Sequence, residues 1–369
     1  MHKKNWSYWE EKEVKKDIDL IIVGAGFTGL SAAIRAKELH PKWKVVILER
    51  DQMGEGASTK NAGFACYGTL GEFLADQAEM GRDQALELIL KRREGLKFLL
   101  NTVDTTKIDW QQLGGVELFL DDELGHWEAC QAEISALNQD LGFTLYQESK
   151  EHQKFNKSIG SIYTLDEAQL NPVKLWRALY QKAILLDIII QHGVKVDTVQ
   201  SGMSVKLGTS LGDFHCKQVL YCTNAFGTQG YDLDLIPSRN QVYVVENSSF
   251  KLDAKSYHQN CGYLYFRGLG NQILIGGARH ISYREEISVE MAGNEKIEQY
   301  LKDYLKKHFS NKGEWRIHNH WSGIIATGNS KKPIVKKLDE NIYCCLRFGG
   351  MGVALSSLSG SQAIDRFFS

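Results

Sequence analysis

Three glycines near the start of the chain have a spacing that suits the binding of phosphate groups. Gly24, Gly26 and Gly29 follow the apolar run at 20–23 and precede a segment whose apolar residues recur at helical spacing. Gly24 permits a sharp turn, Gly26 leaves the backbone open to a pyrophosphate, and Gly29 lets the helix pack closely on the strand. The helix N terminus adds N–H groups and the positive end of its dipole. The pattern predicts a dinucleotide site with contacts from Gly24, Ala25, Gly26, Phe27, Thr28 and Gly29.

An acidic residue at the end of a second predicted strand narrows the choice of nucleotide. The apolar segment Val45–Leu48 is followed by Glu49, at the position about 20 residues beyond the glycines where a carboxylate binds ribose hydroxyls. A carboxylate there also repels a 2′-phosphate, which argues against NADP. We therefore expect an adenosine whose ribose carries no 2′-phosphate.

The chain offers little basis for other common chemistries. It contains no HExxH or Walker sequence, and its one GxSxG match, at 208–212, falls in a predicted hairpin turn rather than between a strand and a helix, so a hydrolase or an NTPase is not indicated. His318 and His320 alternate as they would on one face of a strand, but no third ligand is near in sequence. A structural or substrate-facing pair of histidines is favoured, and no metal site is predicted.

The bulk composition limits the classes of partner. The 369 residues allow two domains, and 44 Lys and Arg against 45 Asp and Glu leave no basic field for nucleic acid. Seven cysteines without CxxC spacing indicate a reducing compartment rather than a disulfide framework. The N terminus lacks the apolar core of a signal peptide, and the apolar stretch Ala183–Ile190 is too short to cross a bilayer. We expect a cytoplasmic protein without a membrane span.

The order of the predicted elements places the glycine turn in a discontinuous domain. A helix is expected to start at Asn171-Pro172 and run toward Gly193, followed by a strand near 194–196, a hairpin and a further strand. Glycine-bounded segments at 241–245, 262–267 and 272–277 predict an antiparallel sheet. We predict an α/β fold with a Rossmann-like nucleotide domain at 1–75, 165–236 and 321–369. A second α+β domain, built on the antiparallel sheet and expected to bind substrate, covers 76–164 and 237–320.

Several motifs in order along the chain resemble one family. They are the glycine turn with Glu49, the loop Gly56–Gly63, Asn171-Pro172, the strand end Tyr221–Ala225 and the turn Gly349–Val353. Together they resemble the FAD-dependent D-amino-acid-oxidase-like (DAO) family, in its amine-oxidising branch with glycine, sarcosine and gamma-glutamylputrescine oxidases. The resemblance covers nearly the whole chain.

The resemblance implies a role for each of these motifs in holding FAD. Glu49 and the glycine turn would bind the adenosine and pyrophosphate, with Arg50 beside them, and a residue within Val196–Val199 would contact adenine. Thr223 and Asn224 would approach the pyrophosphate. The C-terminal turn would direct N–H groups and a helix dipole at the flavin ring. Further contacts would come from Ala57, Ser58, Thr59, Lys60, Asn61 and Ala62, and from Gly349, Gly350, Met351, Gly352 and Val353.

The resemblance also implies the reaction. It is hydride transfer from the carbon beside a nitrogen to FAD, which gives an imine, with a small amine or amino acid as substrate and O2 as acceptor. No residue matches a covalent attachment point, so FAD is expected to bind non-covalently. The chain departs from the family pattern at Lys60 and Met351, and the strand Ile273–Ile275 has no lysine for oxygen activation. A dehydrogenase that passes electrons to a quinone or carrier protein, a non-catalytic flavoprotein and a plain NAD dehydrogenase are the alternatives.

Substrate anchors are expected on the antiparallel sheet. Arg267 would clamp a carboxylate, and Tyr263 and Tyr265 would contact an amine through cation–π interactions. The structural alternative is a cross-strand ion pair with two half-buried tyrosines. His280, with its neighbour Arg279, follows the next strand, and Arg347 is a rival carboxylate clamp.

Overall fold

The computed structural model describes residues 6–228, 230–248, 250–309 and 314–369, so Met1–Asn5 of the predicted first segment lie outside it. The strands are β1 Ile18–Val23, β2 Val45–Leu48, β3 Phe64–Ala65, β4 Gly115–Leu120, β5 Tyr146–Ser149, β6 Ser158–Thr164, β7 Ala168–Gln169, β8 Ile189–Gln191, β9 Val196–Gln200, β10 Val205–Thr209, β11 Gly212–Tyr221, β12 Ile236–Glu246, β13 Ser256–Gln259, β14 Leu264–Leu269, β15 Gln272–Gly277, β16 Arg316–Thr327, β17 Ile334–Asp339 and β18 Ile342–Leu346. The helices are α1 Tyr8–Glu10, α2 Phe27–Leu39, α3 Ala57–Lys60, α4 Leu70–Met80, α5 Arg82–Thr102, α6 Leu124–Leu141, α7 Pro172–Leu185, α8 Glu295–His308 and α9 Gly352–Phe368.

The first sheet is the predicted nucleotide-binding layer. Its order is β17-β18-β11-β1-β2-β8, and the hairpin partner β10 and then β9 branch from β11. The four contacts that join β18, β11, β1, β2 and β8 are parallel. Parallel strands need crossover connections and are normally covered on both faces, so near-continuous apolar strands such as β1 and β2 are expected here. The two strands are almost fully buried.

The second sheet is largely antiparallel, with the order β16-β12-β15-β14-β13-β4-β6-β5. Only the β13–β4 contact is parallel. The face of this sheet toward α8 forms its own apolar core, centred on Tyr257, Phe266, Ile275 and Tyr243. The predicted fold class, a discontinuous Rossmann-like domain with a second domain on an antiparallel sheet, is confirmed. Residues 321–327, which the sequence analysis groups with the nucleotide segments, pair with β12 in the second sheet. The exact domain bounds stay a prediction.

The helix that begins at Asn171-Pro172 is shorter than expected. Asn171 caps it by accepting hydrogen bonds from the N–H groups of Val173 and Lys174, and Pro172 occupies its first turn. The helix ends at Leu185 because Asp187 adopts a left-handed conformation, with φ of 57°. The apolar residues that follow form β8, which pairs in parallel with β2. The stretch at 183–190 therefore divides between a helix and a strand.

Helix α9 lies between two other helices and joins the end of the chain to its beginning. A Cβ atom at Gly360 would lie 2.4 Å from the carbonyl oxygen of Thr28 in α2, and one at Gly95 in α5 would lie 1.9 Å from that of Ala354 in α9. These contacts are too close for any larger residue, so α9 packs backbone to backbone against both neighbours. Among the helices of the described segments, none has both the length and the apolarity that a bilayer crossing requires.

Candidate active site

A cavity of about 600 Å³ lies where the two sheets meet. One side is formed by the ends of β1, β2 and β11 and by the starts of α2 and α9, and the other by residues of β12 to β16. The volume is within the range of small-molecule and cofactor sites, about 300–1,000 Å³. The glycine turns from the two ends of the chain therefore border a common space.

The first glycine turn has the backbone geometry that its sequence predicts. Gly24 has φ of +105°, and a Cβ atom at Gly29 would lie 1.9 Å from the carbonyl oxygen of Gly24. Helix α2 starts after Gly26, which provides no side-chain cap. The N–H of Phe27 donates to Ser58 Oγ at 3.0 Å, which ties the helix start to α3. The remaining N–H groups of the first helical turn have no partner within the helix, and Phe27 and Thr28 of this turn line the cavity.

Glu49 is held in place by the backbone of the turn that it faces. Its Oε2 accepts a hydrogen bond from the N–H of Ala25 at 2.7 Å, and its Oε1 accepts one from the N–H of Asp51 at 3.1 Å. Each carboxylate oxygen keeps capacity for a further donor. Arg50 lies beside it, with its guanidinium 3.8 Å from the centre of the Phe226 ring and 3.2 Å from Asp51.

The loop around α3 is fixed by side chains that the sequence analysis assigned to the flavin. Asn61 Nδ2 donates to the carbonyl oxygens of Ala57 and Ser58, and its Oδ1 accepts from the N–H of Gly63. Trp321 Nε1 donates to the carbonyl oxygen of Lys60 at 2.9 Å, which attaches the loop to the second sheet. The side chain of Asn61 therefore fixes the conformation of the loop, and Asn61 also lines the cavity.

The C-terminal glycine turn has open space beside its backbone. Apart from their chain neighbours, no atom of the described residues lies within 4 Å of the positions that Cβ atoms would occupy at Gly349 and Gly350. Helix α9 begins beside them without a side-chain cap, as α2 does. Uncapped N–H groups and backbone space suit a ligand with negative charge. The structure therefore fits a dinucleotide cofactor, which would place one end at each turn.

Most of the cofactor residues predicted from sequence border the cavity. Those that line it are Gly24, Gly26, Phe27, Thr28, Glu49, Arg50, Ala57, Ser58, Lys60, Asn61, Ala62, Val196, Thr223, Asn224, Gly349, Gly350, Met351, Gly352 and Val353. Those outside its lining are Ala25, Gly29, Thr59 and Val199. Ala25 and Gly29 shape the turn, the hydroxyl of Thr59 bonds the carbonyl oxygen of Gly54, and Val199 lies on β9. Roles for all of them toward a cofactor stay predictions.

The predicted substrate anchors divide into two groups. Tyr263, Tyr265 and Arg347 line the cavity, whereas Arg267 and His280 do not. Arg267 is buried, and its guanidinium donates to Gln169 Oε1 at 3.0 Å and to the carbonyl oxygen of Leu170 at 3.3 Å. Burial lowers the pKa of Arg267 to about 10. Its position removes the geometric basis for the predicted carboxylate clamp, because the guanidinium fastens β14 to the segment around β7.

The other two candidate anchors, Arg347 and His280, also have protein partners. Arg347 pairs with Asp234 and donates to the carbonyl oxygen of Lys332, which fixes the loop before the C-terminal turn. His280 bonds Asn260 Nδ2 at 3.3 Å, and burial lowers the pKa of its imidazole. Neither side chain is free to act as a primary carboxylate clamp without losing these contacts.

Arg279 differs from the other arginines that line the cavity. Arg50, Arg92 and Arg347 each form an ion pair with a nearby carboxylate. Within the described segments Arg279 has no such partner, and its buried Nη1 has no hydrogen bond. Its guanidinium lies 5.4 Å from the centre of the Tyr283 ring. The sequence placed Arg279 near the site but could not distinguish it from its paired counterparts.

Two cavity residues escaped the sequence analysis. His258 and Cys66 line the cavity, and Glu117 and Glu167 lie close to His258. The available signal was Glu117, a charged residue inside the otherwise apolar strand β4. Its partners come from distant segments, which no local pattern connects.

The chain is similar to known flavin-dependent oxidoreductases in both sequence and fold. The family model for FAD dependent oxidoreductases, DAO, matches residues 19–366. The chain is 24% identical to gamma-glutamylputrescine oxidoreductase of Escherichia coli strain K12, over 93% of this chain and 82% of that protein. Glycine oxidase from Geobacillus kaustophilus superimposes with a TM-score of 0.75 at 17% identity, and covers 95% of both chains. L-amino acid deaminase from Proteus vulgaris superimposes with a TM-score of 0.73 at 15% identity, over 95% of this chain and 94% of the other.

Proposed function

Because this chain belongs to the DAO family of FAD-dependent oxidoreductases, we propose that it oxidises a carbon–nitrogen bond of a small amine or amino acid to an imine. The cavity supports this proposal, since it joins two uncapped helix starts to a wall that carries Tyr263, Tyr265 and Arg279. The names of its relatives refer to gamma-glutamylputrescine, glycine and L-amino acids. Each of these compounds contains a carbon–nitrogen bond.

FAD is proposed to lie across the cavity and to bind non-covalently. Its adenosine end would contact Glu49 and Val196, and its pyrophosphate the first turn of α2 with Thr223 and Asn224. Its flavin end would lie beside the loop around α3 and the turn Gly349–Val353. When bound, FAD supplies a two-electron acceptor for hydride. The uncapped start of α9 would stabilise negative charge on the ring, because N–H groups and the positive dipole end converge there.

The substrate is proposed to carry an anionic group that binds Arg279. The other three arginines of the cavity wall already pair with carboxylates, so Arg279 is the one with donors to spare among the described residues. A guanidinium binds a carboxylate through two parallel hydrogen bonds. Tyr263 and Tyr283, which also line the cavity, would flank this group. An amine that carries a carboxylate fits this wall better than an uncharged amine.

Replacement of Arg279 by methionine is expected to raise KM for a carboxylate-bearing amine by about 10- to 100-fold, since a charged hydrogen bond contributes about 1.5–3 kcal/mol. An amine without a carboxylate should change by less than about threefold. Steady-state kinetics with both substrate types measures this difference. Arg284→Met is the matched control, because Arg284 is an exposed arginine of the same segment. Equal losses with both substrate types would contradict the assignment.

Anaerobic bleaching of the purified protein tests the reaction itself. Polyamines, N-methyl amines, and D- and L-amino acids are mixed with the yellow protein in the absence of oxygen, and loss of the flavin absorbance identifies a substrate. A protein that no amine or amino acid bleaches would be a non-catalytic flavoprotein, and a colourless protein that takes up no FAD would contradict the proposal.

Molecular oxygen is proposed as the electron acceptor, with a quinone or carrier protein as the alternative. The alternative deserves a test because Ile273–Ile275 provide no lysine to the cavity wall. An oxidase forms hydrogen peroxide in step with substrate consumption in air. A dehydrogenase turns over slowly in air and is accelerated by an artificial quinone.

A further inference from the structure

A buried polar cluster lies on the cavity side of the second sheet. His258 on β13 pairs in register with Glu117 on β4 and with Tyr265 on β14. Directly paired residues of neighbouring strands project from the same face, and His258 and Tyr265 both line the cavity. Glu117 and His258 are buried, with 2% and 7% of their surface exposed. The row therefore places an acid and an imidazole at the wall of the proposed active site.

Glu167 adds a second acid to this pair. Its Oε2 lies 3.4 Å from His258 Nε2, and its Oε1 accepts a hydrogen bond from the N–H of Tyr67 at 3.2 Å. Glu117 Oε2 accepts a hydrogen bond from the N–H of Gly71 at 3.0 Å. We refer to Glu117, Glu167 and His258 as the acid–histidine cluster.

The cluster has unused hydrogen-bonding capacity. Glu117 Oε1, Glu167 Oε2 and His258 Nε2 are inaccessible to solvent and have no well-formed hydrogen bond to any residue in the described segments. Buried polar groups are nearly always paired. Three such atoms in one cluster leave positions for additional protons, and His258 connects them to the cavity.

The nearby positive charges are already matched by other acids. Arg92 lies 3.0 Å from Glu72, and Lys331 lies 3.0 Å from Glu72 and 2.5 Å from Asp76. The remaining titratable side chains around the cluster are His126 and a group of thiols and phenols whose pKa is raised by burial: Cys66, Tyr67, Cys130, Tyr146 and Cys261. These thiols and phenols are neutral at ordinary pH, so none of them is a base that competes with the cluster for a proton.

Two members of the cluster have a raised pKa. Burial raises the pKa of Glu117 to about 7. Burial opposes the charged form of His258, but Glu167 and Glu117 more than offset this, so the pKa of His258 is raised. Glu117 therefore gains or loses a proton near neutral pH, and the charge on the neighbouring His258 is coupled to that change.

We propose that the acid–histidine cluster accepts, through His258, the proton that a substrate ammonium group must lose before oxidation. This inference rests on the proposed oxidation of an amine. His258 is the group that would contact the substrate, and Glu117 and Glu167 are positioning residues whose carboxylates stabilise the imidazolium that forms on His258.

The proton transfer completes the chemistry of the proposed reaction. The N–H bond of the ammonium breaks, its electron pair stays on nitrogen, and the proton passes to His258. The neighbouring C–H bond then breaks, two electrons leave as hydride to the FAD oxidant, and the nitrogen pair forms the C=N bond. An ammonium has no such pair, so oxidation has to wait for proton loss.

The proposal predicts a specific pH dependence. Only the unprotonated cluster accepts a proton, so the rate of anaerobic flavin bleaching should rise with pH as Glu117, whose pKa burial raises to about 7, and His258, whose pKa is also raised, lose their protons, and should then level off. Near the pKa of a free amine, about 10.4, about half of the substrate arrives without its extra proton and needs no acceptor.

Glu117→Gln tests the role of the cluster. At about pH 8 the bleaching rate should fall about 100-fold, the lower end of the range for general-base catalysis, because His258 then lacks a carboxylate that stabilises its added proton. At about pH 10.5 the difference from the unmodified protein should shrink to less than about threefold, because about half of the free amine is then neutral. Glu148→Gln is the matched control, since Glu148 is exposed and lies on the same row two strands away, across Ile162 from Glu117. His258→Gln is the second variant and should behave like Glu117→Gln.

A measurement without turnover examines the proton directly. The probes are 2-aminoisobutyrate and tert-butylamine labelled with nitrogen-15. In both, the carbon bonded to nitrogen carries no hydrogen, so they bind without being oxidised. Nitrogen-15 NMR then distinguishes a bound amine from a bound ammonium. We expect a neutral amine on the unmodified protein at about pH 8 and an ammonium on Glu117→Gln.

An ammonium bound to the unmodified protein would overturn the inference. So would bleaching rates of Glu117→Gln and His258→Gln that equal the rate of Glu148→Gln, or that stay low at every pH. Absence of bleaching with every substrate at every pH would instead overturn the proposed function.

Discussion

Replacement of Arg239 by methionine is expected to lower the free energy of unfolding by about 3–5 kcal/mol, because it leaves a buried carboxylate without its charge partner. Arg239 Nη2 lies 2.7 Å from Glu286 Oε1, and Glu286 is fully buried. Gln241 and Asn294 also donate to the same carboxylate. Urea unfolding followed by circular dichroism measures the loss.

Two variants separate the buried charge from the loss of a large side chain. Arg284→Met removes an exposed arginine of the neighbouring segment and should change stability by less than about 0.5 kcal/mol. Arg239→Met combined with Glu286→Leu should recover part of the loss, since no charge then stays buried. A double variant as unstable as Arg239→Met alone would mean that packing, rather than charge, accounts for the effect. Glu286 lies in the same segment as Arg279 and Tyr283. Because Arg239 holds this segment through Glu286, Arg239→Met should also raise KM for a carboxylate-bearing amine.

Replacement of Gly29 by alanine is expected to abolish most FAD binding. The added methyl group would lie 1.9 Å from the carbonyl oxygen of Gly24, a backbone atom that cannot rotate away. The start of α2 would have to move off β1, which spoils the N–H positions that the proposed pyrophosphate site needs. We expect at least about a tenfold rise in the FAD dissociation constant, equivalent to about 1.4 kcal/mol or more. Flavin fluorescence during titration of the apoprotein measures it.

Gly125→Ala is the control for this substitution. Gly125 lies in helix α6, and in the described part of the chain no atom outside its own helical neighbours lies within 4 Å of its Cβ position. Alanine there should leave FAD binding unchanged and stabilise the helix by up to about 1 kcal/mol. If Gly29→Ala bound FAD as tightly as Gly125→Ala, the close strand–helix contact would not be required for the cofactor.

The nucleotide half of the molecule was the most predictable from sequence because its signals are local. The strand β1, the turn at Gly24 and the helix α2 follow one another within about one βαβ unit, and each has its own residue pattern. Glu49 could be placed by spacing alone. The fold class and the family follow from these motifs and are confirmed.

The substrate half was less predictable because its contacts depend on register between distant segments. Glu117 and His258 meet only through the parallel pairing of β4 with β13. Arg267 lies within β14 and Arg279 follows β15. Sequence could not show that Gln169 and Leu170 bind the first guanidinium, whereas Nη1 of the second has no hydrogen bond within the described residues. The alternation of apolar and polar residues along a strand assigns each side chain to a face of the sheet. The residues that it contacts on that face come from distant parts of the chain.

The position of β18 and α9 in the fold has a consequence for biosynthesis. Strand β18 pairs with β11 in the first sheet, and α9 packs between α2 and α5. During translation the earlier nucleotide segments leave the ribosome long before residues 342–368, so the nascent chain exposes apolar surfaces that only this last segment covers. FAD should therefore load after synthesis of these residues, and ribosome-stalled chains that lack them should remain colourless and depend on chaperones.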